Sequence, residues 1–153
     1  MARGRMINTT IATDKRLNSM SQDAIMLFVM TVPHLDRDGL IVGDANLLYS
    51  RVCPRLPYML ARIEPVIGEW VSTGLVMRYE TDEDPVLFFT GFNDNQIGMR
   101  YDREMESVYP PPPGFHRTSG GMFPDDSGNT PAVVGSDSGN TPATLRQLSG
   151  ATP

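Results

Sequence analysis

Side chains able to carry out covalent chemistry are few in this chain of 153 residues. Its two histidines, His34 and His116, lie in different regions, and neither has a serine, cysteine or carboxylate partner in a known catalytic motif. Cys53 is the only cysteine and has no histidine near it in the sequence, so we interpret it as a structural thiol rather than a nucleophile. The sequence therefore predicts that the protein is not an enzyme.

The stretch "HLDRDG" at residues 34–39 contains carboxylates in a pattern similar to part of a calcium-binding loop. When Gly39 is aligned with the glycine of an EF-hand loop, His34 falls in the first ligand position and Ala45 in the last, and neither side chain suits calcium. A single cysteine excludes a disulfide framework and a thiolate metal cluster. We predict a helix-terminating turn at this stretch, and neither a metal site nor a cofactor.

The remaining chemistry is electrostatic, and arginine dominates it. Twelve of the thirteen basic residues are arginine, although the net charge is −5. An acidic protein needs a local basic patch to bind nucleic acid, because phosphate neutralisation drives that binding. The candidates for a patch that contacts the phosphates of double-stranded DNA are Arg3, Arg5, Lys15, Arg16, Arg51, Arg55 and Arg62. The alternative is ordinary surface charge, since residues 1–109 hold 11 basic and 15 acidic residues.

The helices that position these residues can be predicted from caps and periodicity. Ser21 is a good N-cap for a first helix, which has apolar residues at 24, 25, 28, 29 and 32. Asp44 caps a second helix, "ANLLYSRV". A third helix is predicted to begin at Pro65, because proline is best tolerated in the first helical position, and to end at Gly74.

Short strands complete the pattern. Residues 40–42 are a short apolar piece, and the alternation at residues 75–80 and 86–90 predicts the two strands of a hairpin, with Leu87 and Phe89 facing inward. The order helix, strand, helix, helix, strand, strand predicts an α+β fold. Its class would be a winged helix-turn-helix, with three helices and a small antiparallel sheet.

The predicted hairpin is poorly suited to contact DNA. Residues 80–84 at its tip carry four carboxylates, and the third helix, "PVIGEWVST", has no arginine, lysine, asparagine or glutamine to read bases. An outward apolar strip of Val76, Val86 and Phe88 is instead a candidate protein interface, for self-association or for a protein partner. The alternative is that the N-terminal arm or the segment "NQIGMRY" covers this face of the hairpin.

The composition changes after residue 109. Residues 110–153 include eight prolines and seven glycines, above the level at which low complexity is expected. The unit "SGNTPA" occurs at residues 127–132 and again at 138–143, a spacing of 11 residues. We predict a folded domain at residues 1–109 and a disordered tail at 110–153, with a multivalent docking peptide as the alternative for the tail.

The sequence predicts no membrane segment. Its longest apolar run, "AIMLFVM" at residues 24–30, is much shorter than the roughly 20 residues that a transmembrane helix needs. The start, "MARGRMINTT", has no apolar stretch behind its arginines and is not a signal peptide. We therefore expect a cytoplasmic protein.

Four segments of the chain resemble the N-terminal winged-helix domains of phage replisome organisers and DnaD-like replication proteins. They are "SQDAIMLFVMTVPHLDRDGL", "GDANLLYSRVCP", "GEWVSTGLVMRYE" and "FTGFNDNQ…RYDRE", and the similarity covers residues 5–113. This resemblance implies a DNA-replication accessory or initiation protein in the cytoplasm of a bacterial host cell. The alternative on the same fold is a protein-interaction or oligomerisation module, or a transcriptional regulator, that does not read DNA directly.

Overall fold

The computed structural model describes residues 4–126, so Arg3 and the repeats at 127–153 lie outside the described residues. The chain divides into two units, Met1–Phe123 and Pro124–Pro153. The first unit has an α+β fold. Its α-helices are α1 (Lys15–Asn18), α2 (Gln22–Thr31), α3 (Ala45–Val52), α4 (Ile63–Thr73) and α5 (Phe92–Asn95). Short 3-10 helices lie at Thr9–Ala12, Val32–His34, Pro57–Arg62 and Tyr101–Arg103.

The predicted helix caps are confirmed. The side chain of Ser21 accepts a hydrogen bond from the backbone N–H of Ala24, and that of Asp44 accepts one from Leu47. Gly74 ends α4 in the left-handed conformation, with φ of 80°.

The predicted start of the third helix at Pro65 is wrong. The helix α4 begins two residues earlier, at Ile63, directly after the 3-10 helix Pro57–Arg62, which we call the connector. The chain is already helical when it reaches Ile63, and Pro65 occupies the third position of the first turn. The N–H groups of this turn have no partner inside the helix, so proline loses nothing there.

Three antiparallel strands form one sheet in the order β1-β3-β2. They are β1 (Leu40–Val42), β2 (Val76–Tyr79) and β3 (Val86–Phe89). One face packs on the helices, where Leu87 and Phe89 face inward as predicted. The ring of Trp70 lies 5.5 Å from that of Phe89, and its Nε1 donates a hydrogen bond to the carbonyl oxygen of Ala24 at 2.9 Å. These contacts join α2, α4 and the sheet in one apolar core.

The other face of the sheet is covered by the segment after the hairpin. A second antiparallel pair, β4 (Phe115–Thr118) and β5 (Gly121–Pro124), follows the prolines at 110–113. The ring of Phe115 meets that of Phe88 at 5.0 Å, and Met122 joins the same apolar cluster. The carbonyl oxygen of Met122 accepts a hydrogen bond from Asn93 at 2.6 Å.

The predicted outward strip on the hairpin is therefore wrong. Val76, Val86 and Phe88 are 2%, 0% and 3% exposed. Val76 belongs to the helix-facing core, whereas Val86 and Phe88 pack under the segment that contains Phe115 and Met122. The alternative prediction, that another segment covers this face of the hairpin, is closer to the structure. The covering segment is the one with Phe115 and Met122, however, and neither the N-terminal arm nor "NQIGMRY".

The predicted domain boundary after residue 109 also needs correction, because the first unit extends to Phe123. The hydroxyl of Tyr79 donates a hydrogen bond to the carbonyl oxygen of Pro110 at 2.6 Å. Arg117 pairs with Asp38 at 2.6 Å. Specific contacts of this kind order a segment whose proline and glycine content alone suggested disorder.

Candidate nucleic-acid interface

Two of the candidate phosphate ligands lie where α3 meets the connector. Arg51 is in the last turn of α3, and Arg55 follows the end of that helix. Both side chains are exposed, and neither forms an ion pair within residues 4–126. We call Arg51 and Arg55 the arginine edge. Their guanidinium groups are free to bind an anion.

The neighbouring Arg62 is partly engaged. It ends the connector, and its Nε donates a hydrogen bond to Oδ2 of Asp23 in α2 at 3.0 Å. The side chain remains about half exposed. Arg62 can therefore turn to a phosphate only by giving up, or sharing, this ion pair.

Lys15 and Arg16 lie on α1, away from the arginine edge in the sequence. Lys15 is exposed and forms no ion pair within the described residues. Arg16 pairs with Asp14 at 3.7 Å, at the mouth of a cleft of about 120 Å³ lined mainly by apolar side chains such as Phe28 and Phe89. Within residues 4–126, neither Lys15 nor Arg16 forms an ion pair with α3 or the connector.

The prediction that Arg5 contacts phosphates is wrong. Only 4% of its side chain is exposed. Its Nε donates to the carbonyl oxygen of Leu35 at 3.1 Å, its Nη2 pairs with Glu104 at 3.0 Å, and its guanidinium lies 5.5 Å from the ring centre of Phe92. Arg5 thus fixes the N-terminal arm to the body of the fold, and it takes no part in the arginine edge.

The hairpin between β2 and β3 offers no free cation. Its basic residue, Arg78, forms two hydrogen bonds with Glu64 at 2.9 and 3.1 Å and donates a third to the carbonyl oxygen of Gly43. The hydrogen bonds that Arg78 donates to the Glu64 carboxylate raise the pKa of Arg78. At the hairpin tip, the carboxylates of residues 80–84 form no ion pair within the described part of the chain. This tip repels phosphate.

Helix α4 carries no arginine, lysine, asparagine or glutamine that could make a bidentate contact with a base. Its exposed positions include Pro65, Gly68, Val71 and Ser72. The carboxylate of Glu69 is already engaged, because it accepts hydrogen bonds from the backbone N–H and the hydroxyl of Ser21 at 2.8 and 2.7 Å.

Exposed apolar side chains lie on the two elements that meet at the arginine edge. Leu47 on α3 and both Tyr58 and Leu60 on the connector are each more than two-fifths exposed, and Tyr58 reaches 55%. No helix was predicted between the second helix and Pro65, so this surface was not predicted either. The sequence does contain a signal for the 3-10 helix of the connector: Pro57 stands at its first position and is followed by apolar residues.

A buried polar cluster at the "DRDG" turn was also missed. Asp38 is 0% exposed, and its carboxylate accepts hydrogen bonds from the Tyr101 hydroxyl at 2.5 Å and from Nε of Arg117 at 2.6 Å. Burial, together with the hydrogen bond to Asp38, raises the pKa of Tyr101 to about 12. The guanidinium of Arg37 stacks over the Tyr101 ring at 4.2 Å. These contacts join the turn to the segment that covers the sheet.

Asp36 organises the turn itself. Its Oδ1 accepts the backbone N–H groups of Asp38 at 2.8 Å and Leu40 at 3.0 Å. Burial raises the pKa of the Asp36 carboxyl above its ordinary value, and the interaction with the Ser107 hydroxyl and the two backbone hydrogen bonds offset part of that rise. The carboxylates of this turn therefore serve the local fold.

Comparison with known proteins identifies no relative: no protein-family model, no curated protein and no solved structure matches the chain. Among the helices of residues 4–126, none has both the length and the apolar character needed to cross a membrane.

Proposed function

We propose that this protein is a non-enzymatic winged-helix accessory of phage-type DNA replication that binds duplex DNA weakly and mainly through phosphates. The order α2, β1, α3, α4, β2, β3 and the sheet order β1-β3-β2 support a winged helix. On that reading, α3 and α4 form the helix-turn-helix, and the hairpin between β2 and β3 is the wing. The replication setting rests on the sequence resemblance.

The observation that carries DNA binding is the arginine edge at the end of α3. In a helix-turn-helix, the first helix of the motif crosses the DNA backbone. The guanidiniums of Arg51 and Arg55, exposed and unpaired within residues 4–126, belong to this end of α3 on the winged-helix reading. Arginine is well matched to phosphate because its planar group donates two parallel hydrogen bonds.

The number of free cations limits the strength of binding. Arg51 and Arg55, with help from Lys15 or Arg62, allow about two to four phosphate contacts, which corresponds to a log–log salt slope of about −2 to −4. Helix α4 adds no base contact, and the acidic hairpin opposes close approach. Binding should therefore be weak for each copy and insensitive to sequence.

Fluorescence anisotropy with two unrelated duplexes of equal length tests this proposal. Affinities measured between about 50 and 200 mM salt should agree for the two duplexes within about threefold and fall with the slope given above. Strong preference for one duplex, or an affinity that does not change with salt, would contradict binding through phosphates.

The exposed apolar surface favours a second candidate, a protein-contact module on the same fold. Tyrosine and arginine are enriched at the anchors of protein interfaces, and Tyr58 lies on the connector that packs against α3, the helix of Arg51. On this reading Tyr58→Ser lowers the affinity for a protein partner and leaves DNA binding unchanged.

A further inference from the structure

Two exposed surfaces of this chain carry opposite charge and have apolar groups beside the charge. We propose that copies of the protein associate head to tail, with the acidic hairpin tip of one copy docked on the arginine edge of the next. This inference uses the residues of the proposed DNA contact, but it does not require that DNA is bound.

The first surface is the arginine edge together with its apolar neighbours. The side chains of Arg51 and Arg55 are exposed and form no ion pair within residues 4–126, and the apolar side chains of Leu47, Tyr58 and Leu60 accompany them. Helix α3 packs directly on the connector, so these groups are held on adjoining elements. A partner for this surface needs carboxylates and a place for an aromatic side chain.

The second surface supplies both. A recess of about 410 Å³ lies between the hairpin tip and the chain after it, and its walls include Asp82, Glu83, Val108 and Pro110. Val108 is 85% exposed. The tip is a built turn, because the Thr81 hydroxyl donates to the carbonyl oxygen of Asp84 at 2.7 Å and accepts the N–H of Glu83 at 3.2 Å.

The opposite wall of the recess is also fixed in place. The hydrogen bond from the Tyr79 hydroxyl to Pro110 holds the covering segment against β2 at 2.6 Å. These hydrogen bonds hold the backbone on both sides of the recess, so less backbone freedom is lost on binding.

Charge complementarity selects a second copy as the occupant. The four carboxylates of residues 80–84 form no ion pair within residues 4–126, and the two guanidiniums of the arginine edge are equally free. Exposed apolar groups on both surfaces, Tyr58 on one and Val108 on the other, add contact area. In the head-to-tail arrangement each copy gives one surface to one neighbour and its other surface to the next, so the contact is heterologous and extends into chains or rings.

Such a contact also places the carboxylates of one copy where the phosphates of DNA would bind on the next. Self-association and duplex binding should then compete for Arg51 and Arg55. Added duplex would shorten the assemblies, and added salt would weaken both interactions.

Sedimentation analysis of the full chain, from about 10 to 500 μM at about 50 mM salt where screening is weak, tests the contact. The average mass of the parent should rise with concentration. Reversing the charge of one surface, either Arg51→Glu with Arg55→Glu or Asp82→Arg with Glu83→Arg, should weaken association at least about tenfold. Mixing the two variants should restore it, because the acidic tip of the first then faces the arginine edge of the second.

A parent that stays monomeric across this range would overturn the proposal. Association that survives either charge reversal, or that fails to return on mixing two variants with parent-like circular dichroism, would also overturn it. The test is separate from DNA binding, because the variant with Asp82→Arg and Glu83→Arg keeps Arg51 and Arg55 and should bind duplex at least as tightly as the parent.

Discussion

The arginines of this protein divide between two regions that use the same side chain in opposite ways. Around the "DRDG" turn, Arg5, Arg37 and Arg117 are largely buried and form hydrogen bonds that join segments distant in sequence. At the end of α3, Arg51 and Arg55 are exposed and unpaired within the described residues. The guanidinium groups of the first region stabilise the fold, whereas those of the second are exposed and form no ion pair within residues 4–126.

The difference shows that residue type does not determine the role of an arginine in this chain. A buried guanidinium next to a buried carboxylate cannot be removed without leaving the carboxylate uncompensated. An exposed guanidinium can be replaced with little loss of stability, because water solvates it in both the folded and the unfolded states. The same substitution should therefore change stability in one region and binding in the other.

The largest effect is expected from truncation. A chain that ends at Pro113 loses Arg117 and the side chains of Phe115 and Met122 that cover the sheet. Loss of the buried ion pair costs about 3–5 kcal/mol and loss of a packed aromatic side chain about the same, which together approach the whole stability of a typical domain. Circular dichroism during heating should show no cooperative unfolding for this chain.

A chain that ends at Asp126 is the control for this truncation. It keeps every described contact, and its unfolding midpoint should match that of the full chain. A chain ending at Pro113 that unfolds like the full chain would show that the sheet does not need its cover.

The next largest effect on stability is expected from Arg117→Ala. It leaves the Asp38 carboxylate, 0% exposed, with the Tyr101 hydroxyl as its remaining side-chain partner. About 3 kcal/mol of stability should be lost, at the low end for a broken buried pair because Arg117 is partly exposed. Urea denaturation measures this loss. The matched control is Arg103→Ala, an exposed side chain without an ion pair in residues 4–126, which should cost less than about 0.5 kcal/mol.

Asp36→Asn should have a smaller effect that depends on pH. Burial raises the pKa of this carboxyl in the folded protein, so the fold prefers its neutral form. The parent should lose stability as the pH rises from 3.8, the pKa of this carboxyl in the unfolded chain, through its higher pKa in the folded protein. At pH values above the folded pKa the loss should stay constant. Asparagine keeps the oxygen that accepts the N–H groups of Asp38 and Leu40 and removes the charge.

The variant should therefore be more stable than the parent at neutral pH and equally stable near pH 3.5. Urea denaturation across this range provides the comparison. A parent that instead gains stability relative to the variant as the pH rises would show that the charged carboxylate is favoured in the fold.

The helical side of the fold was predictable from the sequence because its signals are local. Ser21 and Asp44 each cap the helix that follows them directly, and Gly74 ends α4 by its left-handed conformation. The inward positions of Leu87 and Phe89 follow from alternation along a single strand. Each of these signals lies within a few residues of the element that it specifies.

The cover of the sheet and the role of Arg5 could not be predicted in this way. Arg117 pairs with a residue 79 positions earlier, and Arg5 pairs with a residue 99 positions later. No local pattern records such contacts, and the prolines before Arg117 suggested disorder. The candidate site was predictable only in part. Arg51 and Arg55 are exposed and unpaired within residues 4–126 as the prediction requires, whereas Arg5 forms a buried ion pair with Glu104.

The smallest expected change in stability, and the largest in binding, belong to the arginine edge. Arg51→Gln and Arg55→Gln are made in one double variant. Each substitution should alter the free energy of unfolding by less than about 0.5 kcal/mol. The matched control replaces Arg100 and Arg103, two exposed arginines after the hairpin, by glutamine, so that the net charge changes equally.

Duplex binding by these two double variants, measured by fluorescence anisotropy against salt concentration, tests the central claim most directly. Replacing Arg51 and Arg55 should weaken binding at least about tenfold at low salt and reduce the log–log slope by about 2, while the control retains the affinity of the parent within about twofold. An equal loss of affinity in both double variants would show that net charge, and not the position of the arginines, determines binding. Unchanged binding after replacement of Arg51 and Arg55 would contradict the arginine edge as the site of DNA contact.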